Sequence, residues 1–324
     1  MVLVLSESDV TRLADMKTMI PAIEEALRHY SEAKTIMPPR VKMDIPGTPG
    51  TIRLMLAAVP ERQLSGLKAL TGTAGKRSTK GVYFVVTLFD TDGSTICIMS
   101  ANRLTQLRTA AASAVATKYL ARKDSRIIGI IGGGVQGLAQ IEGLSHVLEI
   151  NKILAYDLSA ESSRKTAAFA HDELGLNCEV STSPAELVRR ADVLVTATTS
   201  NHPVFNGTAV RPGTHINAIG SNMPTRKELD LEILKRSKVV VDSLEQAPME
   251  AGDLVDPISS GEYTIHQIHA EIGEIIIGKK KGRETASEIT LFKSVGIAVE
   301  DVVAAQQVYE LALKAGAGLD VELT

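Results

Sequence analysis

Apolar and polar positions alternate in two different rhythms along this chain, and the change between them divides it. From Leu5 to Lys34 the apolar residues recur at helical spacing, with Ile20, Ile23, Ala26 and Leu27 on one face. Ser6 or Ser8 is placed to cap the start, and Pro21 predicts a break just before it. Met37-Pro38-Pro39 stops helix formation. Between Arg40 and Ala101 the runs are short and strand-like: "TIRLMLAAV", "SGLKAL", "GVYFVVTLFD" and "STICIMSA", separated by Gly, Pro and Asp. "DTDG", residues 90–93, has the composition of a hairpin turn. The first third therefore predicts an α+β unit with an antiparallel sheet.

The rhythm changes at the Ala-rich helix "RLTQLRTAAASAVATKYLARKDS", which leads directly into "RIIGIIGGGVQGLAQ". From there apolar strands at 127–131, 152–156, 193–197, 215–219 and 239–241 alternate with helical segments. That alternation predicts an α/β fold with a doubly wound parallel sheet of Rossmann type. After Ile289 a strand-like run breaks at Gly296 and becomes a long amphipathic helix, expected to pack back on the first domain. The expected division is residues 1–118 with 297–324 as one domain and residues 119–296 as a dinucleotide-binding domain. There is no internal repeat.

Composition narrows the function. The 324 residues are 44% hydrophobic and 23% charged, with a net charge of −3, which carries no signature of nucleic-acid binding. Lys279-Lys280-Lys281 reads as a cation-favouring helix end. The start has neither the basic nor the long apolar region of a signal peptide, and no run approaches the ~20 apolar residues of a membrane span. Cys97 and Cys178 are far apart and form no metal-type spacing, so free thiols in a reducing cytoplasm are expected.

Gly132-Gly133-Gly134-Val135-Gln136-Gly137 is a G-x-G-x-x-G that follows an apolar strand and opens a helix, the context a dinucleotide fingerprint requires. Gly132 permits the tight turn, Gly134 lets a pyrophosphate approach the backbone, and Gly137 lets helix and strand pack closely. The next apolar run ends in Asp157, 20 residues after Gly137, where a carboxylate accepts from ribose hydroxyls and repels a 2′-phosphate. NAD is thus expected over NADP, with Arg164 keeping NADP open. Thr196, Thr198 and Thr199 are either plain strand residues or the lining of the ligand crevice at the strand ends. By the same rule the tip "GSNMP" after Ile219 faces the nicotinamide end.

The first domain supplies unusual cations. Arg53 and Lys68 interrupt apolar strand patterns, Arg40 follows the Pro-Pro pair, and Arg108 lies in the Ala-rich helix. Each alone is compatible with a side chain that extends its charge to water. Together they predict a cradle for a carboxylate, with Lys68 as the residue to pass a proton, because a desolvated lysine has a lowered pKa. His215 starts a strand and reads as structural. His266 and His269 share a predicted helix face without a third ligand, so no metal is expected.

The motifs "MPPRV", "LRTAAASAVATKYLARKDS", "IGIIGGGVQGLAQ", "GTHINAIGSNMPTRKELD", "VVVDSLEQA" and "ITLFKSVGIAVED" resemble the ornithine cyclodeaminase/mu-crystallin family over essentially the whole chain. The texture is that of its archaeal alanine dehydrogenase and ketimine reductase branches. The resemblance implies a first domain that binds substrate and dimerises through its sheet, and a Rossmann domain for NAD(H) or NADP(H). It implies that Arg40, Lys68 and Arg108 hold the substrate carboxylate or act as the catalytic lysine. It further implies that Arg108, Thr109, Val135, Gln136, Asp157, Thr198, Ile219 and Arg226 contact cofactor. One position departs from the cyclodeaminases and alanine dehydrogenases, which carry an aspartate where this chain has Asn222. Ketimine reductases of the family also lack that aspartate. An amide neither gains nor loses a proton near neutral pH. The expected activity is therefore NAD(P)H-dependent reduction of a small, cyclic 2-imino acid, or the reverse amino-acid oxidation. Alanine dehydrogenase and ornithine cyclodeaminase are the alternatives, and a non-catalytic nucleotide-binding protein is the rival of another class. The expected partners are a small imino or amino acid and a second copy of the chain.

Overall fold

The computed structural model describes residues 1–47, 50–73 and 82–323. Gly81, where one expected strand begins, lies outside them. The elements run β1 (Val2–Leu5), α1 (Glu7–Leu13), α2 (Met16–Ser31), β2 (Val41–Asp44), β3 (Gly50–Val59), β4 (Leu64–Thr73), β5 (Tyr83–Phe89), β6 (Thr95–Ser100) and α3 (Asn102–Leu120). They continue with β7 (Ile127–Ile131), α4 (Val135–Ser145), β8 (Lys152–Tyr156), α5 (Ala160–Asp172), β9 (Cys178–Val180), α6 (Pro184–Arg190), β10 (Val193–Thr196) and β11 (His215–Ala218). The last are α7 (Leu231–Arg236), β12 (Ser237–Val241), α8 (Ala247–Glu250), α9 (Gly252–Ser259), β13 (Ile268–Glu271), α10 (Ile272–Ile276), β14 (Ile289–Lys293), α11 (Ala298–Ala315) and β15 (Leu319–Val321). They divide into two compact units, Met1–Arg108 with Ile297–Thr324 and Thr109–Gly296. The boundary falls inside α3, whereas the sequence pattern placed it near the end of that helix.

The first unit holds a seven-stranded sheet in the order β15-β1-β6-β5-β4-β3-β2. The meander β2 to β6 is antiparallel, but β1 joins β6 in parallel and pairs β15 antiparallel, so the sheet is mixed rather than purely antiparallel. Neither β1 nor β15 was expected. A short apolar run such as "VLVL" has no period that distinguishes strand from helix, and its partners lie about ninety residues away in β6 and at the other end of the chain in β15. Alternation puts Met55, Ala57, Val59, Leu64, Lys68, Val86, Leu88, Cys97 and Met99 on the buried side. There α11 crosses β3, β4 and β5 and packs on α2, burying Val299, Val302, Val303 and Val308.

The helix break expected before Pro21 sits earlier. Asp15 caps α2 by accepting from Thr18 N at 2.8 Å, and Ser6 caps α1 in a capping box with Asp9. Pro21 lies inside α2 on its exposed side, so the hydrogen bond it forfeits leaves a carbonyl that water can reach.

The second unit holds eight strands in the order β13-β12-β14-β11-β10-β7-β8-β9, every neighbouring pair parallel. This is a doubly wound sheet. The central strands are buried along their length, which explains their continuous rather than alternating apolar runs. One core includes Ile128, Ile130, Ile141, Leu144, Ile153 and Val195, and another includes Leu154, Leu187, Leu194, Ile216, Ile233, Val239 and Leu291. The chain runs β7-β8-β9 in one direction and returns to β10 on the other side of β7, which makes the β7/β10 strand ends the topological switch point. β14 comes last in sequence yet inserts between β11 and β12. His269 lies in β13, not on a helix face with His266, because the segment after a single 3-10 turn pairs with β12 instead of continuing as helix.

Among the described residues no helix is long and apolar enough to cross a membrane, and no group of three His, Cys, Asp or Glu side chains is arranged to hold a metal ion. Cys97 and Cys178 are free thiols.

Candidate active site

In the second unit the loop between β7 and α4 forms a cradle. Gly132 has φ +105°, a conformation that glycine adopts without strain. A Cβ on Gly137 would collide with the Gly132 carbonyl oxygen, so only glycine lets α4 start so close under the turn. Gly134 is the N-cap of α4, no side chain caps the helix there, and a Cβ on it would meet nothing within 4 Å. The first N–H groups of α4 therefore open onto free space with the positive end of the helix dipole behind them. Gln136, in the first turn of α4, has a buried Oε1 without a hydrogen-bond partner among the described residues, an acceptor for a hydroxyl rather than for the anion itself. An anion fits here, and a dinucleotide's diphosphate is the matching group. Val135 is exposed at the rim.

Asp157 ends β8 beside this turn. Its Oδ2 accepts from Gly133 N at 2.8 Å and its Oδ1 from Ser159 N at 2.8 Å. Each oxygen keeps a second lone pair, so the carboxylate that braces the turn can also accept from a ribose hydroxyl. Thr109 and Ile219 are buried, Arg226 is half-buried, and Asn222 is exposed on the tip after β11.

Glu228, which the sequence pattern did not single out, connects the strand ends. Fully buried, it accepts from Thr196 Oγ1 at 2.8 Å, Thr198 N at 2.6 Å and Gly220 N at 2.8 Å, tying the ends of β10 and β11 together. Burial pushes its carboxyl above the usual range, with the Lys293 charge opposing and Asp253 adding to the shift. Thr196 is therefore turned inward, its hydroxyl engaged by Glu228, and belongs to the frame of the crevice rather than to its lining. Thr198, one turn of chain further, accepts from Ser200 N at 3.2 Å. Behind Glu228, Asp253 accepts from Glu228 N and Leu229 N at 2.7 and 2.9 Å and pairs with the fully buried Lys293 at 3.0 Å. His215 is structural: it bonds Thr290 Oγ1 and Asn217 Oδ1 at 3.0 and 3.2 Å, and burial pulls its pKa down to about 3.

In the first unit β4 points Lys68 into the interior at 1% exposure. Its Nζ lies 2.6 Å from Asp301 Oδ2 and 5.6 Å from the centre of the Phe84 ring. Asp301 Oδ1 is 2.9 Å from Arg108 Nε, and Glu300 Oε2 accepts from Arg108 Nη1 at 2.8 Å. Burial is the main force on Lys68 and brings its pKa down to about 8, against the stabilising charge of Asp301; Arg108 and Arg40 push the same way as burial. Arg53 lies on β3, two residues from the Met55 that pairs with Lys68, and so on the same side of the sheet. The four cations named from sequence thus belong to one unit, with Lys68 and Arg108 joined through Asp301. Glu300 and Asp301 were missed because acidic residues in the first turn of a helix are an ordinary response to its dipole. The only sequence signal for them was their place in "ITLFKSVGIAVED".

Fold and site define a two-unit protein with a dinucleotide-type sheet in one unit and a buried lysine–arginine–carboxylate cluster in the other. The chain belongs to the ornithine cyclodeaminase/mu-crystallin family, whose sequence profile matches residues 1–316. It is 40% identical to the alanine dehydrogenase of Archaeoglobus fulgidus over 99% of this chain and 98% of that protein. It superposes with a TM-score of 0.95 on Thermococcus litoralis Delta(1)-pyrroline-2-carboxylate reductase in complex with NADH and L-proline, at 38% identity over 99% of this chain and 100% of that one. It superposes with a TM-score of 0.94 on an archaeal alanine dehydrogenase dimer with bound NAD, at 39% identity over 100% of this chain and 99% of that one.

Proposed function

We propose that this chain is an NAD(H)-dependent oxidoreductase that reduces a small 2-imino acid, cyclic in its preferred form, to the amino acid and runs the reverse oxidation. The observation that carries this proposal is the buried Lys68 with Asp301 and Arg108 around it: an ammonium whose pKa is brought down to about 8, beside a guanidinium that suits a carboxylate. Reduction adds a hydride to the imine carbon and a proton to its nitrogen. Bound NADH supplies the hydride. Lys68 gives the proton from Nζ, is left as the neutral amine, and is reprotonated from solvent. Arg40, Arg53 and Arg108 take the substrate carboxylate. Asn222 orients the substrate nitrogen or a water by hydrogen bonding. Residues 132–137 hold the diphosphate and Asp157 the ribose, with Thr109, Val135, Gln136, Thr198, Ile219 and Arg226 as further cofactor contacts. The first unit binds substrate and the second the dinucleotide. The NADH, L-proline and NAD held by the two solved relatives support the same assignment.

Asn222 favours imine reduction over deamination. Deamination adds water to an imine and cyclodeamination needs a poised base, and an amide supplies neither proton removal nor charge. The test is NADH consumption with preformed cyclic 2-imino acids against a panel of 2-oxo acids with ammonia. Turnover of 2-oxo acids alone would favour alanine-type dehydrogenation. NADH binding without turnover of anything would favour a binding protein.

Asp157 makes NADH the preferred cofactor, because its carboxylate repels a 2′-phosphate. Asp157→Ser is expected to narrow the gap between NADH and NADPH dissociation constants measured by fluorescence. Tighter NADPH binding by the unmodified protein would contradict the assignment.

The outer side of the first unit's sheet favours a homodimer. Val41, Met43, Tyr83 and Val85 are exposed, and Ile52 and Leu54, which pair with Met43 and Val41, are only half-buried. An apolar sheet face of this kind is covered in a stable protein, here by the 40–100 region of a second copy. Light scattering at micromolar concentration is expected to give twice the 34.6 kDa chain mass. A monomer there would contradict it. The two free thiols fit a reducing, cytoplasmic setting.

A further inference from the structure

Glu300 and Asp301 are consecutive, fully buried, and aimed at different cations. Glu300 lies 2.8 Å from Arg108 Nη1. Asp301 touches both: one oxygen lies 2.6 Å from Lys68 Nζ and the other 2.9 Å from Arg108 Nε. Among the described residues the other groups set around Lys68 are cationic or neutral. Arg108 comes from α3, Arg40 from the segment before β2 and Arg53 from the same face of β3, while Phe84 on β5 presents its ring. Asp301 is thus the carboxylate that faces the amine among the described residues, in a site where burial and the arginines favour the neutral form.

We propose that Asp301 is the positioning residue of the reaction, holding Lys68 charged and aimed so that it donates a proton to the imine, while Glu300 orients Arg108 for the carboxylate. This rests on the role assigned to Lys68 above. The two acidic residues therefore divide the work. Loss of Asp301 changes which protonation state of Lys68 prevails. Loss of Glu300 changes how well the carboxylate is held.

The sign follows from electrostatics. A neighbouring anion favours the ammonium, so Asp301→Asn lets burial and the arginines lower the Lys68 pKa further below about 8. Reduction needs the ammonium, so its alkaline limb moves to lower pH. Oxidation needs the neutral amine, so its acidic limb moves to lower pH as well. An opposite charge at this range commonly shifts a pKa by ~1–3 units, and a displacement of at least about one unit is expected in both limbs. Glu300→Gln is expected to raise KM for the imino acid and leave the limbs in place.

The experiment measures kcat/KM against pH in both directions for the unmodified protein, Asp301→Asn, Asp301→Glu and Glu300→Gln. In parallel, NMR of the lysine ε-carbons in the cofactor-free protein follows the titration of Lys68, its signal assigned with Lys68→Arg. Asp301→Asn is expected to shift the limbs and the NMR titration together. Asp301→Glu restores the charge, so its limbs return to within about half a unit of the original. If Asp301→Asn does not fold, Asp301→Glu decides by the split: the displaced carboxylate lowers kcat severalfold with the limbs retained, and an unchanged kcat overturns the proposal. Limbs and NMR titration unmoved in Asp301→Asn, with Lys68→Ala still strongly impaired, also overturn it. A nearly silent Lys68→Ala instead removes the underlying assignment of Lys68.

Discussion

Lys68→Ala lowers imine reduction by at least about a hundredfold, because general acid–base catalysis commonly contributes roughly 10²–10⁴-fold. The loss is expected in kcat at saturating imine, since the missing group acts on the bond being made rather than on the resting substrate. With the Lys68 pKa brought down to about 8, the unmodified protein is expected to reduce best below that pH and to lose rate as the ammonium is titrated away, while oxidation gains over the same interval. Asn222→Asp is the contrasting change. It leaves reduction within about tenfold, or ~1.4 kcal/mol of barrier, and introduces or raises oxidative deamination, because a base is then available to water. Steady-state kinetics on both variants with one cyclic imine and one amino acid make the comparison. A nearly silent Lys68→Ala beside an Asn222→Asp that abolishes reduction would reverse the roles of the two positions.

Glu228→Ala carries the second large effect. It removes the acceptor of two backbone N–H groups and one hydroxyl at the ends of β10 and β11. An unsatisfied buried donor costs about 1–3 kcal/mol, so a loss of at least about 2 kcal/mol of stability is expected. Glu228→Gln is intermediate, because its single carbonyl oxygen can serve only one of the two sides that the carboxylate serves. The frame it holds carries Thr198 and the tip with Asn222, so NADH affinity falls with stability. Urea unfolding and NADH fluorescence titration check the two together. Unchanged midpoint and affinity would mean that water replaces the carboxylate without penalty.

Much of this site was legible in the residues. The strands at 127–131 and 152–156 stand where the apolar runs place them, because a run buried on both faces has no other local solution. The Gly-rich cradle was legible because its demands are largely local: Gly132 supplies a positive φ in the turn, and Gly137 makes room for the Gly132 carbonyl five residues before it. Lys68 stood out as a cation in an apolar pattern. Glu228 did not, since "TRKELD" reads as the polar start of a helix and nothing local says that its carboxylate turns back under two strand ends. The inward turn of Thr196 was hidden with it.

What the sequence by itself determined is therefore local: the two rhythms, the phosphate turn, the presence of four cations in the first third, and the amide at position 222. Only the tertiary structure decided which carboxylates meet them. Asp301 reaches Lys68 across more than two hundred residues of chain because α11 returns to cross β4, and Glu300 reaches Arg108 from the same turn. β15 likewise becomes a strand only by finding β1 at the opposite end of the chain, and β1 by finding both β15 and β6. Backbone periodicity is set by neighbours a few residues away, whereas the pairing of a buried charge is set by whatever the packing brings to it, and a lysine in an apolar interior persists only where the fold supplies that partner.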